Sequence, residues 1–208
     1  MTKTLDRPRP RTESMEDSIV LLDGVTWADY ERLLEIRGDR SVPRITYLEG
    51  TVEIMSPTRF HENIKSVIGC LVETWCLEKD LEFTTLGAWT IKDKKTQRGA
   101  EADECYVFGR VPDPQRPDLA IEVEWTSGGL PKLEVWRKLG VREVWIWKDK
   151  SLRPFVLRDE QYVEVPASEA LPGIDLVLLL SFLVRPTTSQ AIKDYRSALR
   201  RGGKRKAR

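Results

Sequence analysis

The hydrophobic and polar positions of this chain predict short strands alternating with amphipathic helices. A helix is expected after Thr26, a suitable N-cap, because the apolar residues of WADYERLLEI share one helical face. A longer helix is predicted within residues 57–79, where apolar residues between Ile64 and Trp75 recur at helical spacing. Between these helices, RITYLEGTVEIM predicts two strands joined in a hairpin at Glu49.

The rest of the pattern predicts strands and two further helices. The strands are expected near residues 82–85, 88–91, 102–108, 119–125, 142–148, 153–158 and 161–165. One helix should run from Pro131 to a stop at Gly140, and a last helix should cover 187–200. This order predicts an α/β domain with a central mixed β-sheet flanked by helices.

We expect the chain to form one domain. It should span residues 18–200, between a disordered N-terminal segment at 1–17 and a basic disordered tail at 201–208. The length of 208 residues suits a single hydrophobic core of this size.

One predicted strand is unusual because acidic side chains lie inside it. In RPDLAIEVEW, residues 116–125, the odd positions from Leu119 onward are apolar, whereas the even positions include Asp118, Glu122 and Glu124. Strand side chains alternate between two faces, so the three carboxylates share one face. A solvated face would explain them, and Asp118 would then only bond backbone amides where the strand begins.

A second acidic segment, GAEADECYVFG at residues 99–109, gives another explanation. If it pairs with residues 118–125, Asp103 can face Glu122. Adjacent carboxylates repel each other unless a cation lies between them, and Mg²⁺ prefers carboxylate, water and phosphate oxygens. The even face would then point at a cation and the odd face at the core.

Lys132 is the third candidate, in the first turn of the helix after Pro131. A cation at this position opposes the helix dipole, so helix stability does not explain it. It could instead meet a phosphate or orient a metal-bound water. From the residues alone a simpler alternative stays open, in which Lys132, Glu124 and His61 are ordinary surface residues.

Composition and charge narrow the classes of function. The 34 Lys and Arg nearly balance 33 Asp and Glu, which argues against a uniformly basic nucleic-acid-coating protein but permits a local basic groove. His61 is the one histidine, and the three cysteines form no CxxC pair, so a zinc site is not expected. With no signal peptide or membrane-spanning run in the sequence, we expect a cytoplasmic protein that does not enter membranes.

The stretch RPDLAIEVEWTSGGLPKLEVWRKLGVREVWIW resembles the Uma family of restriction-type endonucleases, within the PD-(D/E)XK nuclease superfamily. Its matching positions are Pro117, Asp118, Glu122, Val123, Lys132, Leu133, Trp136, Gly140, Val141, Glu143 and Trp145. Upstream, YLEGTVEIMSPTRFHE resembles another family segment, through Glu49, Gly50, Met55, Ser56, Pro57 and His61. The acidic segment around Asp103 resembles the family's first acidic strand, with alanine in place of the usual proline.

The resemblance implies a restriction-endonuclease-like fold and a metal-dependent endonuclease that hydrolyses phosphodiester bonds of nucleic acid, with DNA as the expected substrate. It implies that Asp103, Glu122 and the Val123 carbonyl bind Mg²⁺ or Mn²⁺. Lys132 would be the catalytic lysine, because Glu124 stands where the wider superfamily has its lysine. Glu49 would be a further catalytic acid, and a homodimer would cut both strands.

Several assignments are secondary or remain open. Asp118, Glu124 and His61 are accessory candidates, and basic residues between Lys92 and Arg98 are candidates for phosphate contacts. An alternative function is a catalytically silent module that binds nucleic acid or protein and retains the fold, since fold does not imply chemistry. A third is a defence-associated or transposon-derived protein that acts on RNA or modified DNA.

Overall fold

A computed structural model of the chain describes residues 16–206, with side chains as far as residue 202. Its strands are β1 (Ser18–Leu22), β2 (Arg44–Leu48), β3 (Thr51–Ser56), β4 (Phe83–Thr85), β5 (Thr90–Asp93), β6 (Arg98–Glu101), β7 (Glu104–Phe108), β8 (Leu119–Val123), β9 (Glu143–Lys148), β10 (Ser151–Arg158) and β11 (Gln161–Glu164). Its helices are α1 (Trp27–Arg37), α2 (Arg59–Glu78), α3 (Lys132–Leu139), α4 (Leu176–Leu180) and α5 (Thr188–Lys206). None of these helices is both long and apolar enough to cross a membrane.

The strands form two sheets rather than the single sheet predicted. The first sheet has the order β1-β3-β2-β6-β5 and is antiparallel throughout. The second has the order β11-β10-β9-β8-β7-β4 and is mixed, because β8 and β9 are parallel. The predicted α/β class with a mixed sheet and flanking helices is confirmed, and the number of sheets is corrected.

The sheets divide at the start of the segment that the sequence predicts as a strand, residues 102–108. The chain leaves the first sheet after Glu101 and enters the second at Glu104, with a bend at Asp103 between them. Glu101 is buried in the first sheet, where it pairs with Arg37 at 2.6 Å and accepts a hydrogen bond from Thr90. A buried carboxylate without partners is strongly unfavourable, and Arg37 and Thr90 supply the ion pair and hydrogen bond that Glu101 needs.

Three hydrophobic clusters join the sheets to the helices. In the first sheet, Tyr47 packs edge-on against Trp27 and stacks on Tyr30, which fixes α1. Apolar residues of α2 and α5 cover one face of the second sheet, and α3 fills the space between its other face and the first sheet. The clusters therefore place α3 between the two sheets and α2 on the opposite face of the second sheet.

Strand β8 is buried on both faces, and its odd positions meet the core as predicted. Leu119, Ile121 and Val123 pack against the cluster of α2 and α5. Ala120 packs against the cluster of α3. A strand with a parallel neighbour is commonly covered on both sides, so the alternation of acidic residues in this segment does not mark a solvated face.

The folded region differs from the predicted boundaries at both ends. Asp17, one residue before the predicted start, is buried, and β1 follows directly. Helix α5 continues to Lys206, into the segment predicted to be a disordered tail. Most of the predicted N-terminal segment, residues 1–15, lies outside the described residues.

Glu78, the last residue of α2, forms ion pairs with α5, and these ion pairs predict that the stability of the fold depends on pH. Arg196 and Arg200 bond its two carboxylate oxygens at 2.5 and 2.8 Å. Their hydrogen bonds, that from Arg200 first, lower the pKa of Glu78 to about 2. A depressed carboxylate pKa stabilises the folded state above the unfolded pKa of about 4.3, and this stabilisation is lost as the pH falls towards 2.

We therefore expect Glu78→Gln to lower the Tm at pH 7, and the difference from wild type to shrink steadily between about pH 5 and pH 3. Thermal unfolding followed by circular dichroism at several pH values measures this. Glu82→Gln is the control, since its pair with Arg110 is exposed and such pairs contribute little. A Tm difference that did not change with pH would contradict this assignment.

Candidate active site

Asp103 lies at the bend between the two sheets and is 1% exposed. Its Oδ2 accepts a hydrogen bond of 2.6 Å from the backbone N–H of Val123 in β8. Its Oδ1 contacts the Arg44 guanidinium and lies 3.0 Å from Nε2 of His61. One carboxylate thus connects β8, β2 and the first turn of α2.

Glu122 lies beside Asp103 by strand register. Glu104 pairs with Ile121 in the antiparallel β7–β8 ladder, and one further step places Asp103 opposite Glu122, as the sequence predicts. Oε1 of Glu122 accepts a hydrogen bond of 2.9 Å from the Trp136 indole in α3. Burial raises the pKa of Glu122, although nearby Lys132 and the hydrogen bond from Trp136 partly offset this.

Lys132 reaches this region from the start of α3. Its Nζ lies 2.7 Å from Oε1 of Glu53, a residue of β3 that is 2% exposed. Burial alone would lower the pKa of Lys132, but the carboxylates of Glu122 and Glu53 outweigh it and raise the pKa. The ammonium therefore stays charged at neutral pH.

Glu53 also positions the loop that precedes α3. Its Oε2 accepts a hydrogen bond of 2.6 Å from the backbone N–H of Leu130. Gly129 packs directly against the same oxygen, so closely that a Cβ at this position would overlap it. The loop needs glycine here for close approach, and Glu53 joins the hairpin to α3.

His61 connects Asp103 to the start of the described chain. Its Nδ1 lies 2.9 Å from Oδ2 of Asp17, and the ring is 1% exposed. Asp17 also accepts a hydrogen bond from the backbone of Thr58 at 2.7 Å and donates its own N–H to Thr126. Burial alone would raise the pKa of Asp17, but the bonds to His61 and Thr58 outweigh it and lower the pKa.

Arg44 completes the group, which we name the Asp103 cluster: Arg44, Glu53, His61, Asp103, Glu122 and Lys132. The Arg44 side chain is 4% exposed. Besides Asp103, its Nη1 lies 3.1 Å from Nε2 of His61, and its Nη2 pairs with Glu62 at 2.7 Å. Three buried carboxylates are therefore grouped with the buried Arg44 and with Lys132, whose side chain is 13% exposed.

A cleft of about 210 Å³ opens onto one side of the Asp103 cluster. Glu53, His61 and Lys132 line it, together with the Ser127–Gly129 turn. Asp103 and Glu122 do not line the cleft and are 1% and 3% exposed. The two acids expected to bind a metal thus lie behind the residues that line the cleft.

The donor atoms of the cluster have the chemistry that a hard divalent cation prefers, because they are carboxylate oxygens. Their positions are less favourable. Within residues 16–206, no three His, Cys, Asp or Glu side chains are grouped closely enough to hold an ion. The Asp103 and Glu53 carboxylates are instead paired with Arg44 and Lys132.

Comparison with known proteins places this chain in a family. Residues 27–186 match the Uma2 family model, whose description is "putative restriction endonuclease". The chain belongs to the Uma2 family. This confirms the resemblance noted in the sequence and, with the observed α/β architecture, the predicted restriction-endonuclease-like fold class.

A solved structure is also similar to this Uma2 chain. It is described as "a putative nuclease belonging to DUF820" from Anabaena variabilis, with 14% identity and a TM-score of 0.45. The match covers 80% of this chain and 98% of the other. Among curated proteins, none matches significantly.

The structure of this Uma2 protein brings some predicted site residues together and leaves others apart. Asp103, Glu122, Val123, Lys132 and His61 lie in or directly beside the Asp103 cluster. The accessory candidates Asp118 and Glu124 do not join it. Asp118 accepts a hydrogen bond from Phe108 at the beginning of β8, and Glu124 pairs with Lys148 at the cleft rim.

Glu49 is not brought to the cluster either. It forms the hairpin turn, with a φ of 47°, and its side chain is 65% exposed and paired with Arg98. Glu53 in β3 takes the place expected for an acid from this hairpin, since its side chain points into the interior beside Lys132. Arg98 is itself 3% exposed, which removes it from the candidates for phosphate contact.

Sequence reasoning missed Glu53, Arg44 and Asp17. A signal for Glu53 was available, because VEIM sets one carboxylate among apolar strand residues in the same way as IEV does around Glu122. Arg44 begins a strand, where a charged residue usually meets solvent, so no pattern marked it. Asp17 fell within the segment expected to be disordered.

Gly129→Ala tests the packing between the α3 loop and Glu53. The new methyl group would displace the Glu53 carboxylate and break its hydrogen bond to Leu130, so we expect a loss of about 1–3 kcal/mol in unfolding free energy. Urea unfolding measures it. Gly202→Ala is the control, since a Cβ there meets open space in helix α5 and should not destabilise. Equal unfolding midpoints for Gly129→Ala and wild type would refute the close contact.

Proposed function

We propose that this protein is a metal-dependent endonuclease that hydrolyses phosphodiester bonds, with DNA as its substrate. The observation that supports this most is the convergence of Asp103, Glu122 and Lys132. They come from a strand junction, a central strand and a helix start, and they belong to one cluster beside a cleft of a Uma2-family fold.

In this proposal Asp103, Glu122 and the Val123 carbonyl hold Mg²⁺ or Mn²⁺. The ion, when bound, would polarise the scissile phosphate and lower the pKa of a water. Trp136 orients the Glu122 carboxylate through its indole hydrogen bond, and the N–H of Val123 orients Asp103. Both acids are thus positioned by rigid elements of the fold.

Lys132 would neutralise the negative charge that develops on the phosphate in the transition state. Its raised pKa keeps it protonated at neutral pH, so it acts as a cation or hydrogen-bond donor and not as a general base. Glu53 holds the ammonium at the cleft wall, at 2.7 Å. A homodimer would supply the two sites needed to cut both strands.

A nuclease assay tests the proposed function. Supercoiled plasmid, linear duplex, single-stranded DNA and RNA are incubated with Mg²⁺ or Mn²⁺, with a chelator as the blank. We expect nicking and linearisation of plasmid by wild type and none by Glu122→Gln. Failure to cleave any of these substrates would favour the second candidate, a silent binding module.

The silent module is favoured by one observation, namely that the Asp103 carboxylate is already bonded by Arg44, His61 and Val123. Nucleic-acid binding without cleavage, unchanged by Glu122→Gln, would identify it. Cleavage that depends on both the metal ion and Glu122 would exclude it.

Metal binding should stabilise the native state. An ion at a hundredfold excess over its Kd contributes about 2.7 kcal/mol, which raises the Tm by several degrees. We expect Mn²⁺ at millimolar concentration to raise the Tm of wild type and to have little effect on Asp103→Asn. Asp118→Asn is the matched control and should keep the full shift, because Asp118 bonds backbone at the other end of β8. An equal shift in all three proteins would place the ion elsewhere.

Lys132→Ala should reduce cleavage by about 10²-fold or more, the scale of losing one transition-state donor. Lys132→Arg should restore little, because a planar guanidinium does not replace a compact ammonium. Single-turnover cleavage rates measure both. Lys138→Ala is the control on the same helix, since Lys138 pairs with the exposed Glu160. Full activity of Lys132→Ala would remove Lys132 from the mechanism.

A further inference from the structure

Arg44 is a buried cation that the proposed reaction does not use. Its guanidinium lies against Oδ1 of Asp103, and nothing in the family resemblance assigns it a role. Arginine remains protonated at any physiological pH, so it cannot leave the acid by losing its proton. If another cation is to use this oxygen, the guanidinium has to move.

Oδ1 is the oxygen in question because Oδ2 is held by the fold. Oδ2 accepts the N–H of Val123 at 2.6 Å, which secures the bend to β8. Oδ1 has two partners, both side chains: Arg44 and His61. Oδ1 is therefore the oxygen that can more easily exchange its partners for a divalent ion. An ion bound there would lie close to the positive charge of Arg44.

The structure offers Arg44 a second place. Its Nη2 already pairs with Glu62 at 2.7 Å, and the Glu62 side chain is 38% exposed, towards solvent. Among the residues that the structure describes, nothing accepts a hydrogen bond from Nε of Arg44, although this atom is buried. A buried donor without a partner is unfavourable, so the present position of the guanidinium is not fully stabilised.

We propose that Arg44 is an internal counter-cation that competes with the divalent metal for Asp103, and that metal binding displaces its guanidinium from Oδ1 towards Glu62. The proposal rests on the metal site of the proposed function. It makes Arg44 a positioning residue that sets metal affinity, so that only a doubly charged ion replaces the arginine efficiently. Two cations this close also repel each other, which weakens metal binding while Arg44 stays in place.

Binding of Mn²⁺ alone, without nucleic acid, tests this by calorimetry on the full chain. Arg44→Gln keeps a hydrogen-bond donor but removes the charge, so we expect it to bind Mn²⁺ about tenfold more tightly or better. Arg44→Lys keeps the charge and should remain close to wild type. Arg98→Gln is the matched control: it removes a buried arginine with two acidic partners outside the cluster, and its Kd should not change.

Glu62→Gln gives a second measurement, which changes a partly exposed partner of Arg44 and leaves the Arg44 side chain itself in place. Without the Glu62 carboxylate, Arg44 loses the place to which it would move, so we expect Mn²⁺ binding to weaken several-fold. Glu124→Gln controls for the loss of one negative charge, because Glu124 pairs with Lys148 at the rim of the same cleft. Equal weakening in both variants would overturn the proposal, even if Arg44→Gln failed to fold.

The outcome is separable from that of the proposed function. Mn²⁺ binding by Arg44→Gln that is no tighter than that of wild type, including no binding by either, overturns the role of Arg44 whatever the cleavage assay shows. Tighter binding by Arg44→Gln supports it, even if no variant cleaves nucleic acid. In that case the proposed nuclease activity is rejected and the proposed role of Arg44 as a counter-cation is retained.

Discussion

The Asp103 carboxylate is the contact on which both the fold and the site depend. The chain passes from one sheet to the other at this residue. The carboxylate connects this bend to β8 through Val123, to β2 through Arg44 and to α2 through His61. A buried carboxylate is tolerated only when such partners satisfy it. Removing one of them leaves an uncompensated charge, which is strongly destabilising.

The charges buried around Asp103 are poorly explained by stability alone. Replacing a buried ion pair by well-packed apolar residues is often neutral or stabilising, so a cluster of three carboxylates, an arginine and a lysine is weak evidence for a structural role. The raised pKa of Glu122 shows that burial penalises at least one of these charges. Buried groups with a shifted pKa and a charged partner are frequent at functional sites, in agreement with the nuclease description of the Uma2 family.

Most local elements could be predicted, because each has its own signal. The capping box of Thr26 and Asp29 begins α1, and Gly140 ends α3 in the left-handed conformation. The hairpin turn at Glu49 and Gly50 was also predicted. The strand predicted at 102–108 is β7 (Glu104–Phe108), but alternation of side chains does not reveal that the chain changes sheets just before it. Strand β1 and helix α4 are short and carried no clear period.

For the site, as for the fold, some features could be predicted from the sequence and others could not. By itself, the sequence determined most of the elements and the family resemblance, and local alternation showed that Asp103 can face Glu122 if their two strands pair, as they do. Only the tertiary structure decided that Arg44 meets Asp103 across 59 residues, that Glu53 meets Lys132 across 79, and that Glu49 meets neither. A charged side chain has the same sequence signature whether it faces water or a buried partner. Its position is decided by the packing of two sheets around α3, which brings together residues far apart in the chain.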